Sequence, residues 1–258
     1  MVTDAGVDGR VVVVAGATSS SGVATSRALI SAGARLVAVG SNVERLSAFE
    51  RSVPGASTRV CDLSKFSAVA ELADSVAQEF GAVDGLIHLV GGWRGAAGIT
   101  AQTDDDWAAM ESGFTTLRNT SRAFFDSLVA SEEGRLAIVS SSSVERPTAG
   151  GASYTAAKAA GESWVRSVAD GFRRAQSGHK TAPQPQRAAA VRFAVMAFVD
   201  ADMRRDNPDK AFAGFTDVDA LGEAVVGLWR SDAAELNDAR ISLAPRNRNA
   251  HRGDREGR

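Results

Sequence analysis

Short runs of apolar residues alternate with longer amphipathic stretches along the chain. The apolar runs fall at residues 10–15, 35–39, 57–61, 85–89, 135–140, 188–195 and 240–243, and several are nearly continuous in hydrophobic character. A strand covered on both faces has this signature, because side chains pointing up and down both meet a packed layer. Residues 22–32, 43–51, 66–80, 104–131, 153–175 and 217–230 instead repeat apolar positions at the three- and four-residue spacing of a helix. Seven strands alternating with six helices predict one α/β domain: a doubly wound parallel sheet with helices on both faces. Residues 176–187 carry two prolines and no period, and are expected to form a surface loop. The domain is expected to occupy residues 1–245. Residues 246–258 are basic and almost free of apolar side chains, the composition of a disordered tail.

A length of 258 residues suits that single domain. The formal net charge of −2 gives no electrostatic reason to expect nucleic acid or an anionic membrane as partner. One cysteine, Cys61, excludes an internal disulfide framework and fits a reducing compartment; inside a strand-like run it reads as a small buried hydrophobe. The start of the chain is acidic and polar, unlike a signal peptide, and no apolar run approaches membrane-spanning length. A cytoplasmic protein is expected, and no metal site.

Two local patterns carry chemistry. The first strand runs into Gly16-Ala17-Thr18-Ser19-Ser20-Ser21-Gly22, where a helix opens at once. Small residues at such a junction let the backbone approach a pyrophosphate, which the helix amides then meet. The hydroxyls of Thr18, Ser19, Ser20 and Ser21 are further donors. The second pattern is Tyr154, the only tyrosine, four residues before Lys158, one of four lysines. On a helix that spacing puts both side chains on one face. An ammonium against the phenol is expected to lower its pKa toward neutrality, which suits proton exchange with a carbonyl or alcohol.

These motifs, in this order, resemble the short-chain dehydrogenase/reductase family over residues from about 8 to 245. The resemblance implies a Rossmann-type fold of about seven strands. The family's Gly-x-x-x-Gly-x-Gly turn lies on Gly16, Ser20 and Gly22, and the Gly-Ala before the second strand on Gly33-Ala34. Its Tyr-x-x-x-Lys motif lies on Tyr154 and Lys158, its catalytic serine on Ser141, and its adenine-contacting acid on Asp62, followed by Leu63. The cofactor contacts implied after the fourth and sixth strands fall on Val90, Gly91 and Val199. Several positions depart from the pattern. Asn-Asn-Ala-Gly reads His88-Leu89-Val90-Gly91, the helix asparagine falls near Gly113 or Phe114 with Asn119 a turn too late, and Pro-Gly reads Met196-Ala197. The threonine after it reads Ala201. His88, at a buried strand end, is read as a satisfied core residue.

At the end of the second strand, Gly40-Ser41-Asn42 offers no carboxylate to a ribose diol, and Ser41 and Asn42 can donate to a 2′-phosphate, so NADP(H) is favoured over NAD(H). The resemblance implies reduction of a small-molecule carbonyl, or the reverse alcohol oxidation. Ser141 would orient the carbonyl, Tyr154 exchange the proton, and Lys158 lower the Tyr154 pKa and bind ribose. Trp93, Arg94 and Arg146 are substrate candidates from their places after strand ends. Pairing of the two long helices implies a homodimer or homotetramer. The alternative is a family-fold protein without redox turnover, using the Tyr–Lys pair for proton transfer or serving as a binding subunit.

Overall fold

The computed structural model describes residues 6–244, so the expected tail at 246–258 lies outside the described residues. The first half runs β1 (Val11–Ala15), α1 (Ser20–Ser31), β2 (Arg35–Gly40), α2 (Val43–Ser52), β3 (Ser57–Val60), α3 (Phe66–Phe80), β4 (Gly85–His88) and α4 (Asp104–Ala130). The second half runs β5 (Arg135–Ser141), α5 (Ala152–Ala175), β6 (Ala189–Val195), β7 (Phe198–Val199) and α6 (Ala201–Asp206). It ends with β8 (Thr216–Asp217), α7 (Val218–Val226), α8 (Ala233–Leu236) and β9 (Arg240–Ser242). The seven strands expected from the sequence form one sheet in the order β3-β2-β1-β4-β5-β6-β9, all neighbours parallel.

Alternation within the apolar runs sorts side chains into two cores. Val11, Val13 and Ala15 face a layer with Val76 of α3, Leu128 of α4 and Phe172 of α5. Val12 and Val14 face the opposite layer, with Leu29 of α1 and Leu221 and Val225 of α7. Phe124 and Phe172 are almost wholly buried, and burial of such a side chain contributes roughly 1.5–3 kcal/mol. Cys61 belongs to the first core as a free, buried thiol.

Short elements escaped the sequence pattern. The two-residue strands β7 and β8 pair with each other, and α6 and α8 have six and four residues, too few to display a period. The helix expected at 217–230 is α7 followed by a 3-10 turn, Gly227–Arg230, which seats Trp229 in the second core. The loop at 176–187 is tied down by Gln176, which is buried: its amide donates to the Val129 carbonyl (3.0 Å) and its oxygen accepts from the Arg187 and Ala188 amides (2.9 Å each).

The strand order reverses direction between β1 and β4, so the connections leaving their carboxyl ends part in opposite directions and open a crevice there. Among the described residues, no helix is long and apolar enough to cross a membrane.

Candidate active site

The turn after β1 is shaped so that only glycine fits at two places. Gly16 has a left-handed φ of 83°, and a Cβ there would lie 2.9 Å from the Leu89 carbonyl carbon and the Val90 nitrogen. A Cβ on Gly22 would lie 2.5 Å from the carbonyl oxygens of Gly16 and Ala17. The four hydroxyls of this turn have different duties. Ser19 caps α1, accepting from the Gly22 amide at 3.0 Å and donating to the Gly16 carbonyl, and Ser21 lies 3.2 Å from it. Ser20 lies near the carboxylate of Asp200, which is held below the usual carboxylate range by the Met203 amide (2.8 Å) and then by the Ser20 hydroxyl. The Thr18 methyl faces Gly40.

At the end of β2, Ser41 and Asn42 are exposed, and Asn42 caps α2 by accepting from the Arg45 amide at 2.8 Å. That bond commits the Asn42 oxygen and leaves its amide nitrogen for another acceptor. After β3, Asp62 accepts from the Ser64 hydroxyl (2.6 Å) and amide (3.1 Å), which hold its carboxyl below the ordinary range, and Lys65 stands 3.4 Å away. Leu63 is buried, and its carbonyl and that of Ser64 accept from Asn119. Asn119 thus braces the β3–α3 turn, away from the crevice.

A cavity of about 370 Å³ opens in the crevice and brings Ser19 and Ser21 together with Val90, Gly91, Tyr154 and Lys158. Gly91 lies beside the lysine: a Cβ there would stand 3.6 Å from the Lys158 ammonium, an ordinary van der Waals contact. Lys158 donates to the Val139 carbonyl at 2.8 Å. Burial pushes its pKa down to about 8, against the charge of Glu162. Ser141, at the carboxyl end of β5, is buried, caps the following 3-10 turn through the Ser143 amide and lies 2.8 Å from the Ser143 hydroxyl, with the Tyr154 phenol nearby.

The expected lowering of the Tyr154 pKa is corrected here. Burial raises it, and the nearby Ser141 hydroxyl opposes the rise. The physical reason is distance and desolvation: the Lys158 ammonium is 5.8 Å from the phenol ring centre and bonded to Val139, while a buried phenolate loses its water.

His88 is buried at the end of β4, with its ring nitrogens 3.3 Å from the Thr116 hydroxyl and 3.2 Å from that of Thr120. It is a satisfied residue, as expected, and it also lines the cavity. Burial, and after it the charge of Lys158, pushes its pKa down to about 3, so it is neutral near pH 7. Gly113 and Phe114, near which the family pattern has asparagine, line a smaller apolar cleft beneath Tyr154, and Gly113 faces the Gly91 backbone. Of the substrate candidates, Trp93 lines the cavity and is 71% exposed, whereas the exposed Arg94 and Arg146 do not line it. Val199 is fully buried, and its neighbours Met196, Ala197 and Phe198 line the cavity instead.

Sequence reasoning missed Glu162, Arg192 and Arg240, which form an ionic cluster behind Ser141 and Lys158. The signal available was weak: Glu162 is one turn past Lys158, and Arg192 interrupts an apolar strand.

A glycine-only turn at the first strand–helix junction of a doubly wound sheet, with a crevice beyond it, fits a dinucleotide; the architecture and site define a dinucleotide-binding α/β protein. A family model described as short chain dehydrogenase matches residues 10–177. The chain belongs to the short-chain dehydrogenase family, whose members are NAD(P)-binding oxidoreductases. It is 28% identical over 160 residues to the 2,3-dihydro-2,3-dihydroxybenzoate dehydrogenase of Bacillus subtilis (strain 168), covering 60% of this chain and 61% of that one. The chain thus spans about three fifths of that curated relative's length. It is 31% identical over 253 residues to an uncharacterized oxidoreductase of Mycobacterium tuberculosis, covering 95% of this chain and 94% of the relative. The NADPH-bound short chain oxidoreductase of Pseudomonas aeruginosa PAO1, described as containing an atypical catalytic center, superposes with a TM-score of 0.76 at 21% identity. That match covers 92% of this chain and 96% of the other, and shows the fold. Solved structures of like fold include complexes with NADP and with NAD+.

The His88 environment gives a pH prediction. Its folded pKa, about 3, lies below the ordinary 6.5, so between those values the unfolded chain binds more protons and stability falls as pH falls. The slope it adds is about 1.4 kcal/mol per pH unit at most. Urea unfolding from pH 7 to 4 is expected to show this loss in the wild type and a shallower one in His88→Gln. Equal slopes would place the proton elsewhere.

Proposed function

We propose that this protein is an NADP(H)-preferring oxidoreductase that reduces a small-molecule carbonyl, or oxidises the corresponding alcohol, in the cytoplasm. The observation that carries this reading is one cavity that gathers Tyr154 and Lys158 with Ser19 and Ser21 of the glycine turn, with the Ser141 hydroxyl near enough to the phenol to oppose the rise in its pKa. The turn with Gly16 and Gly22 would take the pyrophosphate, with Thr18, Ser19, Ser20 and Ser21 around it. Asp62 and Leu63 would flank adenine, and Val90, Gly91 and the Val199 segment the nicotinamide. A bound nicotinamide supplies or accepts the hydride.

The chain's own groups manage the proton. A phenol whose pKa burial raises stays protonated at neutral pH and can donate to a carbonyl oxygen 2.7–3 Å or so away. Ser141 shares that oxygen and fixes its direction. The Lys158 ammonium favours negative charge on the oxygen that loses the proton, and is placed to hold ribose hydroxyls. Protonated Tyr154 favours reduction near pH 7, with oxidation gaining as pH rises. Trp93 and Met196, both substantially exposed, offer apolar contact at the rim of the cavity.

The preference for NADP(H) rests on the end of β2. Positions 40–42 hold no carboxylate, and Ser41 and the free amide nitrogen of Asn42 face outward. The face shared by α4 and α5 supports a homodimer or homotetramer. Phe124, Leu117 and Val165 turn into the core, but Phe66, Phe125 and Trp164 line an open groove with Arg122 stacked 4.0 Å over Phe66.

Tyr154→Phe is expected to cut turnover by two orders of magnitude or more while NADPH affinity, read by fluorescence titration, stays within about twofold. Unchanged kinetics would remove Tyr154 from the mechanism, and failure of the wild type to bind either cofactor would favour a protein without redox turnover. The cofactor preference is best tested at Ser41, since a Cβ on Gly40 would press Leu46 and Thr18 at 3.3–3.4 Å. Ser41→Arg should raise the ratio of NADPH to NADH affinity about tenfold and Ser41→Asp should lower it. A ratio that neither change moves would overturn the assignment. Light scattering at micromolar concentration should give twice or four times the chain mass, and a monomer would refute the helix pairing.

A further inference from the structure

Behind the catalytic face lies a cluster of charges that the proposed proton transfer does not use directly. Glu162, on α5 one turn beyond Lys158, is buried, and its carboxylate accepts from the Ser140 hydroxyl at 2.5 Å. It also accepts from the Arg240 guanidinium at 3.1 and 3.2 Å, and Arg192 of β6 stands 3.9 Å away. Arg240, on the edge strand β9, spends its other nitrogens on the Ser141 carbonyl (3.1 Å) and on Glu145 (2.6 Å) in the segment just after β5. Arg192 is held by Asp238, and its Nε finds no partner among the described residues. One guanidinium therefore touches the serine's own backbone and the carboxylate nearest the lysine.

A buried carboxylate with two arginines and a serine hydroxyl around it is more elaborate than strand packing requires, because a well-packed apolar set would do as well. We propose that Glu162 and Arg240 are positioning residues that set the charge on Lys158 from behind, Glu162 favouring the ammonium and Arg240 limiting that pull while pinning Ser141. Its consequence for catalysis rests on the oxidoreductase reading above; the charge coupling itself does not.

The groups that face Lys158 are few. Its own helix supplies Tyr154 and Glu162, and β4 supplies His88, which is neutral. The α4 residues in the cleft beside it are Met110, Gly113, Phe114 and Leu117, none of them titratable. Behind Glu162 stand Arg192, Arg240, Glu145 and Asp238. The Lys158 pKa, down to about 8, is therefore a balance of burial against Glu162.

The two partners make opposite predictions. Removing the carboxylate (Glu162→Gln) takes away the charge that favours ammonium, so Lys158 should titrate lower. Removing the guanidinium (Arg240→Gln) takes away a repelling cation and leaves Glu162 and Glu145 less neutralised, so Lys158 should titrate higher. With only four lysines in the chain, [13C,15N]-lysine NMR can follow each side chain, Lys158 being the signal lost in Lys158→Met. This needs neither cofactor nor turnover. The wild-type midpoint is expected near 8, falling by about one unit in Glu162→Gln and rising by about half a unit in Arg240→Gln. If turnover is found, the alkaline limb of kcat/KM should move with each midpoint, a change that general loosening would not produce with opposite signs.

Glu162→Gln strands two arginines and can fail to fold, but Arg240 is partly exposed, and a folded Arg240→Gln with an unmoved midpoint overturns the proposal by itself. Midpoints that shift in the same direction in both variants overturn it too. Opposite shifts in a protein that turns over no carbonyl or alcohol uphold the coupling and defeat the oxidoreductase reading. Normal turnover with unmoved midpoints does the reverse.

Discussion

Holding a half-buried lysine ammonium at the carboxyl ends of the central strands is the constraint around which this site is arranged. A shift from 10.5 to about 8 in Lys158 corresponds to roughly 3 kcal/mol disfavouring the charged form. Much of the neighbourhood is arranged to limit that cost. The Val139 carbonyl accepts a hydrogen bond from it, and His88 remains neutral beside it rather than adding a second cation. The carboxylate of Glu162 lies behind, itself held by Ser140 and Arg240. Loss of any of these would change the protonation of the lysine as well as the packing.

The layout of the sheet was largely legible in the sequence, because continuous apolar strands such as 11–15 and 189–195 admit few other readings once helical periods separate them. The Tyr154–Lys158 spacing also survived, since a helix places i and i+4 together wherever it lies. Spacing alone could not report desolvation, which is why the phenol was expected to fall in pKa and instead rises. Short elements such as α6 and β7 have no period to read. Arg94 and Arg146 looked equivalent to Trp93 by position, yet only the tryptophan turns toward the cavity.

The cluster behind the site was illegible for a different reason. Arg240 meets Ser141 across 99 positions of sequence and Glu162 across 78. That meeting exists only because β9 adds to the edge of the sheet beside β6, bringing a chain segment beyond the family-matched 10–177 within reach of the centre. Glu162, at a helical position that reads as one more polar residue in a mixed stretch, is turned inward by the same arrangement.

The loop between α5 and β6 has a practical consequence. It enters β6 at its amino end, so it lies across the sheet from the crevice, and Gln176 ties its two ends to each other and to α4. Residues 179–185 between those ties are exposed. A fluorophore, an affinity handle or a short graft placed there would be carried by a rigid clamp yet kept apart from the chemistry. The protein therefore comes with a natural attachment point for surface immobilisation that leaves the mouth of the cavity facing solution.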